Sequence, residues 1–206
     1  MSENRTVPDI VIGRLPIYLR ALTHMLEEGQ RITASRDLAD RLGISSAQIR
    51  KDLSHFGEFG KQGMGYDIAH LLDQIKRILQ VDKIWDMALV GAGDLGHAIA
   101  FHGGFEGRGL RVACVFDNDS EKIGGRLGKF EIRDAANLAE QLGKLGIKIA
   151  IVAVPAGAAQ AVVNDLVKGG VKAILNYAPI TVTVPPDVKV QYIDPVVHLQ
   201  RMTYYL

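Results

Sequence analysis

The chain has 206 residues, and its 24 lysines and arginines against 23 aspartates and glutamates leave a net charge of +1. Apolar residues make up 48% of the chain, enough to fill the core of one large domain or two small ones. No apolar run reaches the roughly 18 residues of a membrane span, and the start lacks the residue order of a signal peptide. This net charge says little about partners, so binding to nucleic acid must be argued from motifs.

Cysteine usage and ligand grouping exclude two kinds of site. Cys114 is the only cysteine, so no disulfide forms within the chain, and a cytoplasmic location is expected. It lies in the apolar run 112–116, which predicts a buried strand residue; a redox-active thiol is the alternative. No grouping of metal ligands is apparent, so no metal is expected.

The first third of the chain predicts four helices. Pro16 suits the first turn of the first helix. Gly43 is expected to end the second helix, and Ser45 with Gln48 has the spacing of a capping box at the start of the third. From apolar residues at helical spacing, the predicted helices are 14–29, 35–42, one beginning after Ser45, and 67–80.

The second and third helices have the pattern of a helix-turn-helix. Ala39 is the small residue where the helices cross, Gly43 opens the turn, and Ile49 locks the second helix of the pair. That second helix enters the major groove in such motifs. Arg50 and Lys51 lie on its outer face and are expected to reach base edges or phosphates.

A glycine-rich segment, 57–66, predicts a tight hairpin after the third helix and so makes the motif a winged helix. Lys61 at its tip is expected near the minor groove or its phosphates, and Tyr66 is expected to brace its base. Ser54 and His55, at the end of the third helix, are expected to contact phosphates. Asp52 and Glu58 dilute the positive charge of this region. The predicted DNA-binding residues are Arg50, Lys51, Ser54, His55, Lys61 and Tyr66.

The composition changes after residues 81–86, which form the predicted domain boundary. Continuous apolar runs then alternate with helical patterns, as is typical of buried parallel strands in a doubly wound α/β domain. A last amphipathic helix is predicted over 194–206. The predicted strands are 87–91, 110–116, 147–154 and 171–175, and the predicted helices between them are 135–145 and 156–167.

A G-x-G-x-x-G motif follows the first of these strands and precedes a helix, as in a dinucleotide-binding loop. Its predicted contacts with a cofactor are Gly91, Ala92, Gly93, Asp94, Leu95 and Gly96. The cofactor's pyrophosphate is expected at the helix N-terminus. Asp117 ends the next strand, where a carboxylate accepts hydrogen bonds from ribose hydroxyls and repels a 2′-phosphate. The sequence therefore favours NAD(H) over NADP(H).

Four more residues follow the carboxyl ends of later strands, where ligands of open α/β sheets bind. These residues are Val154, Pro155, Asn176 and Tyr177. They are predicted to line the nicotinamide side of the site, and the alternative is that they are plain connectors between strands and helices.

Few residues remain after the predicted sheet, too few for a separate catalytic domain. His97 and His102 are isolated histidines, and no arrangement of a nucleophile with a base is apparent. A ligand-gated regulator is therefore predicted rather than an enzyme. One alternative is an NAD(H)-dependent oxidoreductase with an accessory helical domain. Another is a regulator that has lost nucleotide binding, or binds CoA or ATP, although Asp117 argues against it.

The sequence SAQIRKDLS from Ser46 to Ser54, with FGEFG at 56–60 and GMGY at 63–66, closely resembles the Rex family of redox-sensing repressors. The resemblance covers nearly the whole chain and continues through Val90–Gly96, Phe116–Asp117, Val154–Pro155 and Asn176–Pro179. It implies a homodimer that binds inverted-repeat operator DNA at genes of fermentation and respiration. A high ratio of NADH to NAD would release that DNA.

The resemblance also implies the organisation of the chain. The expected fold is α/β, with an N-terminal winged helix-turn-helix domain and a C-terminal Rossmann domain whose terminal helix is exchanged between subunits. The expected domains are 1–82 for DNA binding, 83–193 for NAD(H) binding, and 194–206 for the exchanged helix.

Family positions suggest an interdomain switch and three departures from the family pattern. Arg20 and Asp194 fall where the family links its domains. His102 stands where the family often has the tyrosine that partners the acidic residue, so the hydrogen-bond partner of Asp194 differs from that of the family. Pro195 replaces an aromatic residue beside the nicotinamide in some relatives. Gln62 replaces a wing-tip arginine, so weaker minor-groove contact is expected.

Overall fold

The protein is represented by a computed structural model that describes residues 7–60 and 64–206. The chain separates into two compact units, with the division between Lys83 and Ile84. The first unit contains α1 (Asp9–Glu27), β1 (Ile32–Thr33), α2 (Ser35–Leu42), α3 (Ser46–Ser54), β2 (Tyr66–Asp67) and α4 (Ile68–Ile78).

The first helix begins five residues earlier than predicted. Pro8 precedes its first residue, and Val11 is buried, so the apolar face extends back beyond the predicted start. Pro16 therefore lies inside α1 rather than in its first turn, and the expectation for this residue was wrong. The cost is one missing backbone hydrogen bond, because proline has no N–H to donate.

The helix-turn-helix forms as the sequence predicted. Gly43 ends α2 with φ of +66°, a left-handed conformation that glycine adopts without strain. Ser45 caps α3, and its Oγ accepts a hydrogen bond from the backbone N–H of Gln48 at 3.1 Å. Ile49 and Leu53 are buried on the inner face of α3. Other core residues of this unit are Leu15, Tyr18, Leu22, Met25, Leu38, Ile68, Leu71 and Ile75.

The described part of the wing differs from a simple hairpin after α3. Its return strand β2 pairs antiparallel with β1, the short strand between α1 and α2, which was not predicted. Gly65 has φ of +78°, and a Cβ here would lie 2.5 Å from the carbonyl oxygen of Thr33, so only glycine fits against β1. The wing-tip residues Lys61 and Gln62 lie outside the described residues.

The second unit is built on a seven-stranded sheet. Its strands are β3 (Trp85–Val90), β4 (Leu110–Asp117), β5 (Arg126–Leu127), β6 (Phe130–Asp134), β7 (Ile149–Val152), β8 (Ala173–Asn176) and β9 (Lys189–Tyr192). Its helices are α5 (Asp94–Ala100), α6 (Leu138–Leu145), α7 (Ala156–Lys168) and α8 (Pro195–Thr203).

The strand order is β5-β6-β4-β3-β7-β8-β9, and all pairs are parallel except β5 with β6. Omitting the short β5 and renumbering from β3 gives the order 3-2-1-4-5-6 of a Rossmann fold. The order reverses at β3, between β4 and β7, so a nucleotide site is expected at the carboxyl ends of these three strands. Strands β5, β6 and β9 were not predicted.

The terminal helix α8 begins at Pro195, and Asp194 caps it by accepting the backbone N–H of Val196 at 2.9 Å. None of its residues is buried. Its exposed apolar side chains are Val196, Val197, Leu199 and Met202, followed by Tyr204, Tyr205 and Leu206. No helix of the described residues is long and apolar enough to cross a membrane.

Candidate nucleotide and DNA sites

The glycine loop stands at the predicted place, between β3 and α5. A Cβ at Gly91 would lie 2.3 Å from the carbonyl oxygen of Ala153, and one at Gly96 would lie 1.9 Å from that of Gly91. These two glycines let neighbouring backbone segments touch. Gly93 has nothing within 4 Å of its Cβ position and faces open space, which leaves room for a phosphate group close to the backbone.

The helix α5 that follows has free N–H groups at its start. Its N-cap residue is Gly93, and no side chain caps the free N–H groups of the first turn. Free N–H groups and the helix dipole favour an anion at this position. The loop and the first turn of α5 therefore fit the pyrophosphate of a dinucleotide.

Asp117 lies at the end of β4 beside this loop and is 7% exposed. Its Oδ2 accepts the backbone N–H of Ala92 at 2.7 Å, and its Oδ1 accepts that of Asp119 at 2.9 Å. The carboxylate thus fixes the glycine loop to the end of β4. A carboxylate has about four acceptor sites, so both oxygens can still accept ribose hydroxyls.

A lysine that the sequence analysis missed stands next to this carboxylate. The Nζ of Lys122 lies 3.7 Å from Oδ2 of Asp117 and 3.3 Å from Oδ2 of Asp119. Its hydrogen bond to Asp119 and the charge of Asp117 raise the pKa of Lys122. The signal for it was its position five residues after Asp117, in the turn that leaves β4.

On the other side of β3, Val154 adjoins the glycine loop: its Cγ1 would lie 3.2 Å from a Cβ at Gly91. Pro155 is exposed and precedes the first residue of α7. The backbone N–H of Tyr177 bonds to the carbonyl of Val152 at 2.9 Å, which holds the start of the next loop against the end of β7.

Asn176 differs from its neighbours because its side chain is fully buried. Its Nδ2 donates to the carbonyls of Ala178 and Ile180 at 3.1 and 3.0 Å, and its Oδ1 accepts the N–H of Ala178 at 3.0 Å. These bonds occupy the amide within its own loop. Asn176 therefore shapes the loop after β8, and a direct contact of its side chain with a ligand would need these bonds to break.

The outer face of α3 carries the basic residues predicted to contact DNA. Arg50 and Lys51 are both exposed. Arg50 donates from Nη1 to the Oγ of Ser35 at 3.0 Å, so it is held towards the first residue of α2. Ser35 was not among the predicted residues, although its place at the N-terminus of a helix crossing the recognition helix was a signal for it.

The other predicted DNA contacts divide into two groups. Ser54 and His55 are exposed at the end of α3, but the Ser54 hydroxyl already donates to the carbonyl of Lys51 at 2.8 Å. Tyr66 is half-buried against the core of the first unit, and burial raises its pKa. A Cβ at Gly60 would lie 2.9 Å from its ring, so Tyr66 braces the wing.

Asp52 does not dilute the positive charge of the recognition helix surface, as the sequence analysis expected, because its side chain is fully buried. Its oxygens accept hydrogen bonds from Arg14 Nε at 2.5 Å, Arg14 Nη2 at 2.7 Å, Tyr18 Oη at 2.5 Å and Gln48 Nε2 at 2.7 Å. Burial alone would raise the pKa of Asp52. The hydrogen bonds outweigh burial and hold that pKa below its usual range.

Comparison with known proteins places both units in one family. Residues 6–54 match a family model described as "Putative DNA-binding protein N-terminus", and residues 82–180 match one described as "CoA binding domain". The redox-sensing transcriptional repressor Rex of Chloroflexus aggregans is 50% identical over 206 residues, covering 100% of this chain and 97% of that protein. The chain belongs to the Rex family.

Two solved Rex structures resemble the whole chain. A structure of the repressor RSP with β-NAD+ and operator DNA has a TM-score of 0.92 at 34% identity, covering 98% of this chain and 93% of that one. A structure of RSP with β-NADH has a TM-score of 0.88 at 32% identity, with 98% and 95% coverage. Rex proteins are repressors, so the prediction of a regulator rather than an enzyme is confirmed.

The residues predicted to form the interdomain switch of this Rex chain lie in different units. Arg20, on α1, is exposed and lines a cavity of about 370 Å³ with Ile17, Ala21, His24, Glu28, Arg41 and Leu42. His102 is exposed, and its ring lies edge-on to Phe105 with centroids 5.3 Å apart. Asp194 is the N-cap of α8. The link among these three residues stays a prediction.

Redox sensing by a thiol finds no support at Cys114. The side chain is 2% exposed in β4, and burial raises the pKa of its thiol to about 11. A thiol with this pKa stays protonated at neutral pH and is a poor nucleophile. Cys114 is thus a small apolar core residue, as the sequence favoured. Among the described residues, no group of three metal-ligating side chains is found.

Proposed function

We propose that this chain represses transcription by binding operator DNA through its first unit and leaves the DNA when NADH binds to its second unit. The observation that carries the proposal is one chain holding both an exposed basic recognition helix and a complete dinucleotide loop with its acceptor Asp117. The full-length similarity to Rex repressors supports joining the two sites in one mechanism.

In the second unit, the pyrophosphate lies over Gly93 and the first turn of α5, and Asp117 accepts the adenosine ribose hydroxyls. The remaining loop contacts are Gly91, Ala92, Asp94, Leu95 and Gly96. The nicotinamide lies towards the ends of β7 and β8, lined by Val154, Pro155 and Tyr177, with Asn176 shaping the loop. Because a 2′-phosphate would meet the buried carboxylate of Asp117, NADH is preferred to NADPH.

In the first unit, Arg50 and Lys51 enter the major groove, where they read bases or bind phosphates. His55 and the exposed end of α3 at Ser54 contact phosphates, and Lys61 reaches DNA from the wing, which Tyr66 supports. Phosphate contacts set the position of the protein without reading sequence. Arg50 and Lys51 therefore carry the sequence preference.

The working form is a cytoplasmic homodimer that places two recognition helices about one DNA turn apart, roughly 34–36 Å. The unburied apolar residues of α8 support an exchange of this helix between subunits. NADH favours a dimer geometry with a different spacing. Its effect on DNA affinity can be no larger than its differential affinity for the two geometries.

The switch runs through Arg20, Asp194 and His102, on the basis of their positions in the family pattern. Asp194→Ala is expected to leave both NADH binding and operator binding in place while abolishing their mutual influence. If the NADH response of operator binding survives this substitution, the proposed link through Asp194 is wrong.

The test is binding of a labelled inverted-repeat duplex at fixed salt, titrated separately with NADH and with NAD. Release by NADH at concentrations at which NAD releases little would support the proposal. If neither nucleotide changes operator binding, the chain is a DNA-binding protein without the proposed NADH sensor. Arg50→Ala is the control for the DNA site, and Asp117→Ala is the control for the nucleotide site.

Because one matching family model is described as a CoA-binding domain, CoA is the second candidate ligand. The same duplex titration with CoA separates the two candidates. The geometry favours NADH, since Asp117 would repel the 3′-phosphate on the ribose of CoA as it would a 2′-phosphate. Release by CoA and not by NADH would reverse this assignment.

A further inference from the structure

Asp52 belongs to the recognition helix but faces away from DNA. Its neighbours in sequence, Arg50 and Lys51, are exposed, whereas the Asp52 side chain has no exposed surface. Its partners come from two helices: Arg14 and Tyr18 lie one turn apart on α1, and Gln48 lies one turn back on α3 itself. We call these four side chains the Asp52 cluster.

The cluster fixes the rotation of α3 about its own axis. Arg14 binds both carboxylate oxygens through two N–H groups, a planar arrangement that specifies direction as well as distance. Successive residues of a helix are about 100° apart, so Arg50 lies roughly opposite Asp52 and Lys51 about a quarter-turn from it. Holding Asp52 against α1 therefore directs Arg50 outwards.

Stability alone does not explain such a cluster. Exchanging a buried ion pair for apolar residues of similar volume is often neutral or stabilising, because the charges lose their hydration. The neighbouring core is already apolar, with Leu15, Ile49 and Leu53 buried around it. What a carboxylate with four directed hydrogen bonds adds is a single defined orientation.

Gln48 shows how the cluster acts on the DNA-facing side. From its spacing, Gln48 was predicted to form a capping box with Ser45. Ser45 does cap the helix, but the Gln48 amide is turned to Asp52 instead. Because an ionised carboxylate only accepts hydrogen bonds, it orients this amide with an N–H towards itself. A half-buried side chain in the first turn of the recognition helix is thereby held in place.

We infer that Asp52 is a positioning residue for DNA recognition: through Arg14, Tyr18 and Gln48 it locks the recognition helix to α1 in the rotation that presents Arg50 and Lys51. The inference rests on the proposed function. It also makes α1 and α3 one rigid body, so a displacement of α1 at Arg20 carries the recognition helix with it.

The test replaces three of the four cluster side chains with apolar residues of similar size, in the full-length triple variant Arg14→Met, Tyr18→Phe, Asp52→Leu. The expected result is a Tm within a few degrees of wild type and at least tenfold weaker operator binding. Binding to a scrambled duplex is expected to weaken much less than operator binding, because nonspecific attraction to phosphates depends on charge more than on the rotation of α3. NADH affinity is expected to change less than twofold, because the second unit is untouched. Operator affinity within twofold of wild type would overturn the inference.

The matched control is the pair of Arg111 and Asp86 in the second unit, which is also joined by two hydrogen bonds, at 2.7 and 3.0 Å. The variant Arg111→Met, Asp86→Leu removes an Arg–Asp pair with the same two-bond arrangement, here exposed, far from α3 in sequence. It is expected to leave operator binding unchanged. An equal loss of operator affinity in this control would overturn the specific role of Asp52.

A second variant covers the case in which the triple variant does not fold. In Asp52→Asn, which keeps the shape of the side chain, hydrogen exchange of the α3 amides is expected to rise at least tenfold in the free protein. Exchange in α4 is expected to rise less than exchange in α3, because Asp52 holds α3 directly, and an equal rise in both helices would overturn the inference. Equal protection of α3 in both proteins would overturn the inference. The exchange measurement needs no DNA. If the wild-type chain fails to bind operator, the proposed function is wrong, but the exchange measurement still decides whether Asp52 positions α3.

Discussion

Asp52 in the first unit and Asp117 in the second are both buried aspartates, but their partners differ in kind. Asp52 is bound by side chains from α1 and α3, whereas Asp117 is bound by backbone N–H groups at Ala92 and Asp119. Side-chain partners fill the acceptor sites of Asp52 and lock two helices together. Backbone partners, with only the Lys122 ammonium nearby at 3.7 Å, leave Asp117 with acceptor capacity beside the glycine loop. One carboxylate is therefore suited to holding structure and the other to receiving a ligand.

The largest effect is expected at Gly91, where the glycine loop beside Asp117 contacts the backbone of Ala153. Gly91→Ala would place a Cβ 2.3 Å from the Ala153 carbonyl at φ of +105°, so the loop must move. We expect NADH affinity to fall at least a hundredfold, with a lower Tm. Gly93→Ala is the control, since its Cβ position is open: Tm should hold while NADH binding weakens. Fluorescence titration and thermal unfolding check both, and a Gly91→Ala protein with wild-type values would contradict the described loop.

Breaking the Asp52 cluster is expected to have the second-largest effect. Asp52→Asn removes the charge that Arg14 binds, and such a loss in a buried pair costs about 3 kcal/mol or more of unfolding free energy. Because the pKa of Asp52 is lowered in the folded state, its stabilisation is complete above about pH 4 and fades as pH falls through the folded value.

Chemical denaturation of wild type and Asp52→Asn between pH 2.5 and 7 checks this expectation. The difference in unfolding free energy should be constant near neutral pH and shrink in acid. A difference that does not change across this range would show that the ionised form of Asp52 is not what stabilises the first unit.

A smaller loss is expected at the ligand-receiving carboxylate. Asp117→Ala leaves the N–H groups of Ala92 and Asp119 without their acceptor, which costs about 1–3 kcal/mol if water does not replace it. NADH affinity should fall at least tenfold, and the preference for NADH over NADPH should narrow. Parallel titrations with the two nucleotides measure this. An unchanged preference would remove Asp117 from the ribose site.

The smallest effect is expected at Cys114, which lies in the core of the second unit and is not part of the site at Asp52 or the site at Asp117. Cys114→Ala removes one buried sulfur, so it should lower the unfolding free energy by only about 1 kcal/mol and leave the NADH response intact. Operator release by NADH, measured in both proteins with and without peroxide, checks this. A response that disappears with the thiol would mean that redox state is sensed at cysteine.

The two aspartates also show which parts of the site can be predicted from sequence. Asp117 was predicted because its partner is a motif: the glycine loop and the end of the next strand have a fixed spacing in the chain. Asp52 was misjudged because its main partner, Arg14, is 38 residues away, and only the tertiary fold of the first unit brings them together. Local periodicity shows that Ile49 and Leu53 point inwards but does not show that a charged neighbour does.

The fold was predicted where apolar runs are long and was missed where strands are short or polar. β3, β4, β7 and β8 are largely apolar and follow the predicted runs. β6 and β9 lie near the sheet edges and alternate polar with apolar residues, and β5 and β1 have only two residues each. Such strands form because a longer neighbour offers hydrogen-bonding groups, a property of the sheet and not of their own sequence.

In the proposed repressor, the DNA site of the first unit and the NADH site of the second unit are coupled. A titration of NADH with and without saturating operator tests this coupling. If NADH weakens operator binding by some factor, operator must weaken NADH binding by the same factor. We predict equal factors of at least tenfold in the two directions. An NADH affinity that is the same with and without operator would contradict this prediction and leave two independent sites on one chain.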